Sequence, residues 1–135
     1  MAFTYTGFVN NLSGMTISGV TRRLTAPPAQ IGTADLPLSY VRAPGGVTPV
    51  ISLPSVAGMR NATVELCVVM EPSGQSSNAV NFAAALTMID AIDTALRTNA
   101  SAFGIDQWRI QQEMVSEGSN FYWQIIVRVE GSGTV

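Results

Sequence analysis

From Asn78 to Thr98 the apolar residues Phe82, Ala85, Leu86, Ile89, Ile92 and Leu96 return every three or four positions. That period marks one face of a helix, and the run predicts a helix about six turns long. Asn78, Ser76 or Ser77 can cap its start, and Asn99-Ala100-Ser101 with Gly104 end it. A helix with one apolar stripe must bury that stripe against another layer. The flanking sequence names the layer. In NATVELCVVM (61–70), Ala62, Val64, Leu66, Val68 and Met70 alternate with Thr63, Glu65, Cys67 and Val69. In DQWRIQQEMV (106–115), Trp108, Ile110, Gln112 and Met114 alternate with Arg109, Gln111 and Glu113. In FYWQIIVRVE (121–130), Phe121, Trp123, Ile125, Val127 and Val129 alternate with Tyr122, Gln124, Ile126, Arg128 and Glu130. A period of two is a strand, and SEGSN between the last two stretches is a hairpin loop. The fold class is therefore α+β: an antiparallel sheet of three to four strands packed by one long helix.

The N-terminal part is less regular. Tyr5, Phe8, Val9, Leu12 and Met15 have helical spacing and predict a short amphipathic helix ending near Ser18-Gly19. Residues 27–58 follow as a long proline- and glycine-rich arm. Its first part, PPAQIGTADLPLSYVRAPGG, still carries Ile31, Leu36, Leu38, Tyr40 and Val41, which need an apolar surface to cover them. Long loops in compact domains are usually functional or disordered, and disorder goes with more charge than this. LPLSYV has strand-like alternation, with Pro37 restricting it to an edge. VTPVISLPSVAG (47–58) suggests an extended arm or a short edge strand. The closing GSGTV is expected to be a frayed tail. All 135 residues fit a single domain.

Composition narrows the function. Charged residues make up 12% of the chain, against about 25% in an average soluble domain. So neutral a surface is poorly protected against association, and cover by other chains explains it better than a free monomer does. All seven basic residues are arginine, the cation that interfaces favour; a GC-rich genome would produce the same bias. A pI near 4.9 and a net charge of −2 argue against wholesale nucleic-acid binding. The only adjacent basic pair is Arg22-Arg23. One cysteine, Cys67, sits in an apolar run and reads as core, so no disulfide within the chain is expected. Residues 1–21 carry no positive charge, so no secretory leader is expected. Nor is any apolar run expected to reach bilayer length.

Histidine and lysine are absent. The usual general base, the commonest metal ligand, Schiff-base chemistry and the P-loop go with them. Asp90 and Asp93, at i and i+3 of the long helix, could share a cation, although a solvated helix face accounts for them more simply. PSGQSS before the helix lacks the lysine and glycine spacing of a phosphate loop. No enzyme, cofactor or metal is expected, and a binding or assembly role is favoured.

Several short pieces, with the order of elements, carry a resemblance. They are Gly19-Val20 with Arg22-Arg23; Pro27-Pro28 followed by Thr33-Ala34-Asp35-Leu36-Pro37; Glu71-Pro72 leading into a helix near Asn81-Phe82; and Phe121-Tyr122-Trp123 in the terminal hairpin. In this layout the chain resembles the tail terminator (tail completion) proteins of long-tailed bacteriophages. Residues 42–58 depart from that layout. The resemblance implies a structural virion protein of the tail or neck, assembled in the host cytoplasm. It implies a homohexameric ring that caps the tail tube protein, stops its polymerisation and offers the head connector a docking surface. DNA would pass through the lumen without specific binding, and no membrane is involved.

On that basis the expected interface comprises Arg22, Arg23, Leu36, Leu38, Tyr40, Arg42 and Ile51 from the arm side. Tyr122, Ile126 and Arg128 complete it from the outward hairpin face. The arm would bury its apolar groups in a neighbour. A head-to-tail ring requires two different complementary patches on each subunit. The alternatives are a head–tail connector or tail-tube subunit, or a small-molecule-binding domain with a pocket near Asp90, Asp93 or Asp106.

Overall fold

The computed structural model describes residues 2–28, 36–45, 50–52, 58–73, 78–117 and 120–134. The elements run α1 (Tyr5–Ser13), β1 (Arg22–Arg23), β2 (Leu38–Arg42), β3 (Ile51–Ser52), β4 (Met59–Ser73), α2 (Asn78–Phe103), β5 (Ile105–Glu117) and β6 (Asn120–Thr134). The class is α+β, as the periodicities predict. The strand count is not. The sheet has six strands and is mixed, in the order β1-β2-β4-β6-β5, with β3 also on β4.

The three long strands are the three that alternation marks, each longer than its pattern. β4 and β6 pair antiparallel from Met59↔Thr134 to Ser73↔Phe121, with an irregularity between Val69 and Pro72. β6 and β5 form the expected hairpin. β2 and β3 lie along the same edge of β4, Arg42 opposite Glu65 and Ile51 opposite Ala62. They flank the same side of β4 in turn, and β2 is itself flanked by β1, so the Pro37 stretch does not lead into an edge strand. β1 adds the one parallel pairing among the described residues, Arg22 opposite Leu38.

Both helices lie on one face. α1 packs over β2 and β4, and α2 over β4, β5 and β6. Ala62, Val64, Leu66, Val68 and Met70 of β4 meet Ile125, Val127 and Val129 of β6 there, beneath Phe8, Leu12, Ala85, Met88, Ile92 and Leu96. α1 is shorter than its apolar spacing suggests. The Thr4 hydroxyl accepts the Gly7 amide at 3.0 Å, and Gly14 closes the last turn. α2 runs past Asn99 to Phe103 and stops at Gly104, whose φ of +75° suits glycine. Its stretch Ala79–Phe103 is long and apolar enough to cross a bilayer, with mean hydropathy 1.4. That corrects the expectation above: the alanines, Ala83-Ala84-Ala85 among them, keep the mean apolar while polar residues interrupt the stretch. In this fold the helix lies along the sheet.

Two further expectations fail. Residues 131–134 are not frayed but complete β6, paired with β4. Gly131 and Gly133 are what let α1 and its preceding residues close on the sheet. A Cβ on Gly131 would sit 2.6 Å from the Phe8 ring, and one on Gly133 would sit 2.4 Å from the Phe3 Cβ. The arm is not free where it is described. Leu38–Arg42 is built into the sheet, because its alternating Leu38 and Tyr40 match the apolar strip that Cys67 and Val69 offer on β4. Residues 29–35, 46–49 and 53–57 of the arm, with Ile31 and Asp35, lie outside the described residues.

Candidate interaction surface

The helix-free face of the sheet carries most of the residues expected at an interface. Leu36, Leu38, Tyr40, Cys67, Val69, Tyr122 and Ile126 form a second apolar cluster there, with Leu24 and Val115 against it. Leu36, Leu38 and Tyr40 are therefore buried within their own chain rather than offered to a neighbour. Tyr122 is 1% exposed, so it and Ile126 are equally unavailable. The physical reason is cross-strand register. Tyr40, Cys67 and Ile126 stand in one row, Leu38 and Val69 in the next, and each apolar side chain is covered by its neighbours. Gln124 donates a 2.8 Å hydrogen bond to the Tyr40 hydroxyl inside this cluster. Burial pushes the Tyr40 phenol up to about 12 and also raises the Cys67 thiol.

Below the apolar rows runs a charged one: Arg42, Glu65, Arg128 and Arg109, on β2, β4, β6 and β5 in turn. Glu65 is 6% exposed. Arg42 Nε donates to its Oε1 at 2.8 Å and Arg128 Nη2 to its Oε2 at 3.3 Å. Arg42 and Arg128 are thus spent on holding a buried carboxylate, although each keeps more than a third of its side chain exposed. Arg109 faces Arg128 directly across the strands, an unfavourable like-charge pair. Arg128 Nε is buried with no partner. A cavity of about 250 Å³ at this spot is lined by Arg109, Ile110, Gln111 and Arg128.

The remaining expected residues lie at the opposite edge. Arg22 and Arg23 are exposed on β1, with Arg23 Nη1 donating to the Gly14 carbonyl at 2.6 Å. Ile51 is 42% exposed on β3. The structure therefore separates the predicted set into an exposed edge (Arg22, Arg23, Ile51), a buried cluster, and an arginine pair bound to Glu65.

Sequence reasoning missed a set of exposed apolar side chains on α2 and the hairpin. Phe82 is 41% and Phe121 52% exposed, and Leu86 and Met114 are also exposed. Phe82 touches Trp123 with ring centroids 5.4 Å apart, Met114 stands opposite Trp123, Phe121 precedes it by two residues on β6, and Leu86 is one helical turn from Phe82 on α2. Phe82 and Leu86 were read as part of the helix stripe. They belong to it by period, but they lie where the start of α2 extends over the hairpin end of the sheet. Beside this patch β5 is the terminal strand, and among the described residues nothing pairs with its outer edge.

The three acids of the pocket alternative have different surroundings. Asp93 is fully engaged: Arg97 Nε donates to Oδ2 at 2.7 Å and Trp108 Nε1 to Oδ1 at 2.9 Å. These bonds lower its pKa. Asp90 instead lines an open groove of about 1000 Å³ between α2 and the chain following α1. Asp106 lines another of about 370 Å³, with Glu130 as its other carboxylate. Among the described residues no three metal-ligating side chains converge. Compared with known proteins, the chain matches no protein-family model and no curated sequence at a significant level.

Proposed function

We propose that this protein is a structural assembly subunit of the tail-terminator kind, a ring-forming chain that works by covering and presenting surfaces rather than by catalysis. One observation supports this best. An apolar patch of Phe82, Leu86, Met114 and Phe121 adjoins a 13-residue strand with an open edge. Exposed apolar patches and unpaired edges are liabilities unless another chain covers them. The opposite end of the sheet carries a chemically different surface: Arg22, Arg23 and Ile51, on β1 and β3. Two unlike surfaces at opposite ends are what a closed head-to-tail ring consumes. In this reading the ring contact uses the α2–hairpin patch in place of Tyr122 and Ile126. The ring would cap a tail tube and present its other side to a connector.

Negative-stain electron microscopy of the purified protein at rising concentration tests this. Closed rings with a central hole are expected. Open-ended filaments would favour a tube subunit, and the absence of any ordered assembly would remove the ring reading. Phe82→Ser with Phe121→Ser should abolish rings while leaving the far-ultraviolet circular dichroism unchanged, since both side chains are substantially solvent-exposed.

A further inference from the structure

We propose that in the free protein the open edge of β5 is covered by β5 of a second copy, in an antiparallel two-fold pairing centred on Gln111. The strand's own sequence supplies the complementarity. On the helix-free face β5 presents Arg109 and Glu113, evenly spaced about Gln111. An antiparallel pairing about Gln111 sets Arg109 of each copy opposite Glu113 of the other, giving two symmetry-related ion pairs. On the helix face it sets Trp108 opposite the exposed Met114, and Ile110 opposite Gln112. The next registers on either side set Arg109 opposite Val115 or Gln111. Those beyond set Arg109 against Arg109, or Glu113 against Glu113 alongside Arg109 opposite Glu117, so each contains a like-charge pair. Only the Gln111-centred register matches the charges while keeping each face aligned with its counterpart.

Two features within one chain call for this occupant. Neither Arg109 nor Glu113 has an ion-pair partner among the described residues. Arg109, itself exposed, stands opposite Arg128, whose buried Nε has no hydrogen-bond acceptor among the described residues. A Glu113 carboxylate arriving from a second copy enters beside the cavity lined by Arg109, Gln111 and Arg128 and relieves that repulsion. The backbone edge supplies the remaining hydrogen bonds, as in other strand additions. A two-fold contact is closed, so it ends with two copies. It buries the strand beside the apolar patch until assembly replaces one copy with a ring neighbour, and it goes beyond the ring reading without depending on it.

Sedimentation velocity over a concentration series, with Arg109→Glu, Glu113→Arg and the double variant, tests the pairing. Either single reversal replaces two attractive cross-strand pairs by two repulsive ones and should weaken dimerisation at least about tenfold. The double variant restores opposite charges and should return the dissociation constant to within about threefold of wild type. A monomeric wild type, unaffected single variants, or a double variant as weak as the singles would each overturn the pairing. If a variant fails to fold, hydrogen exchange on the wild type decides. The β5 amides should gain protection as concentration rises through the dimer range; unchanged β5 exchange would overturn the proposal.

Discussion

Glu65 is the residue on which the helix-free face turns. It sits on the central strand β4, nearly sealed from water, and holds a guanidinium from each neighbouring strand. Removing one partner of a buried pair leaves the other uncompensated. Here both arginines still reach solvent, which softens the loss. Glu65→Ala should lower the unfolding free energy by about 2 kcal/mol, read as a drop in urea midpoint at unchanged slope. The buried phenol and thiol nearby make a second prediction. The Tyr40 pKa is raised to about 12 in the fold against 10.0 for the free side chain, so the unfolded chain loses that proton first. Unfolding stability must therefore fall as pH rises, first through the thiol region and then from about pH 10 to 12. Tyr40→Phe should flatten the upper part of that decline in urea titrations at stepped pH. The sequence shows Glu65 as one polar position in an alternating strand. Nothing local says that its opposite neighbours are Arg42 and Arg128, because those contacts depend on the register of strands far apart in the chain.

At the scale of elements, long periodic segments announce themselves and short ones do not. β4, α2, β5 and β6 follow from apolar spacing alone. β1 and β3, each of two residues, are too short to show any period and exist because β2 and β4 offer them an edge. The end of β6 was hidden for a different reason. Gly131 and Gly133 look like turn residues, yet they serve a sheet position that α1 and Phe3 approach too closely for a side chain. Gly131→Ala should therefore destabilise the protein by about 2–3 kcal/mol through overpacking against Phe8, measurable as a lower thermal midpoint. The same glycines in a loose tail would tolerate alanine without loss. Leu38 and Tyr40 were legible as residues needing cover; which chain covers them was not. Cys67, Val69 and Ile126 on the same sheet satisfy them.

For the whole molecule, the low charge density and the absence of histidine and lysine already pointed away from catalysis and toward assembly. The sheet has exposed apolar side chains beside β5, whose outer edge is unpaired among the described residues, and an arginine-bearing strand, β1, at the other end. The patch was not visible in sequence because Phe82 and Leu86 have the same helical period as core residues. In the fold both keep over a third of their surface exposed, with Phe82 against Trp123 of β6. The central claim is that these ends meet in a closed ring, and native mass spectrometry across a wide concentration range tests it most directly. A species of six chains, with no larger open-ended series, is the predicted result. A mass that never exceeds two chains, or a ladder that grows without limit, would contradict it.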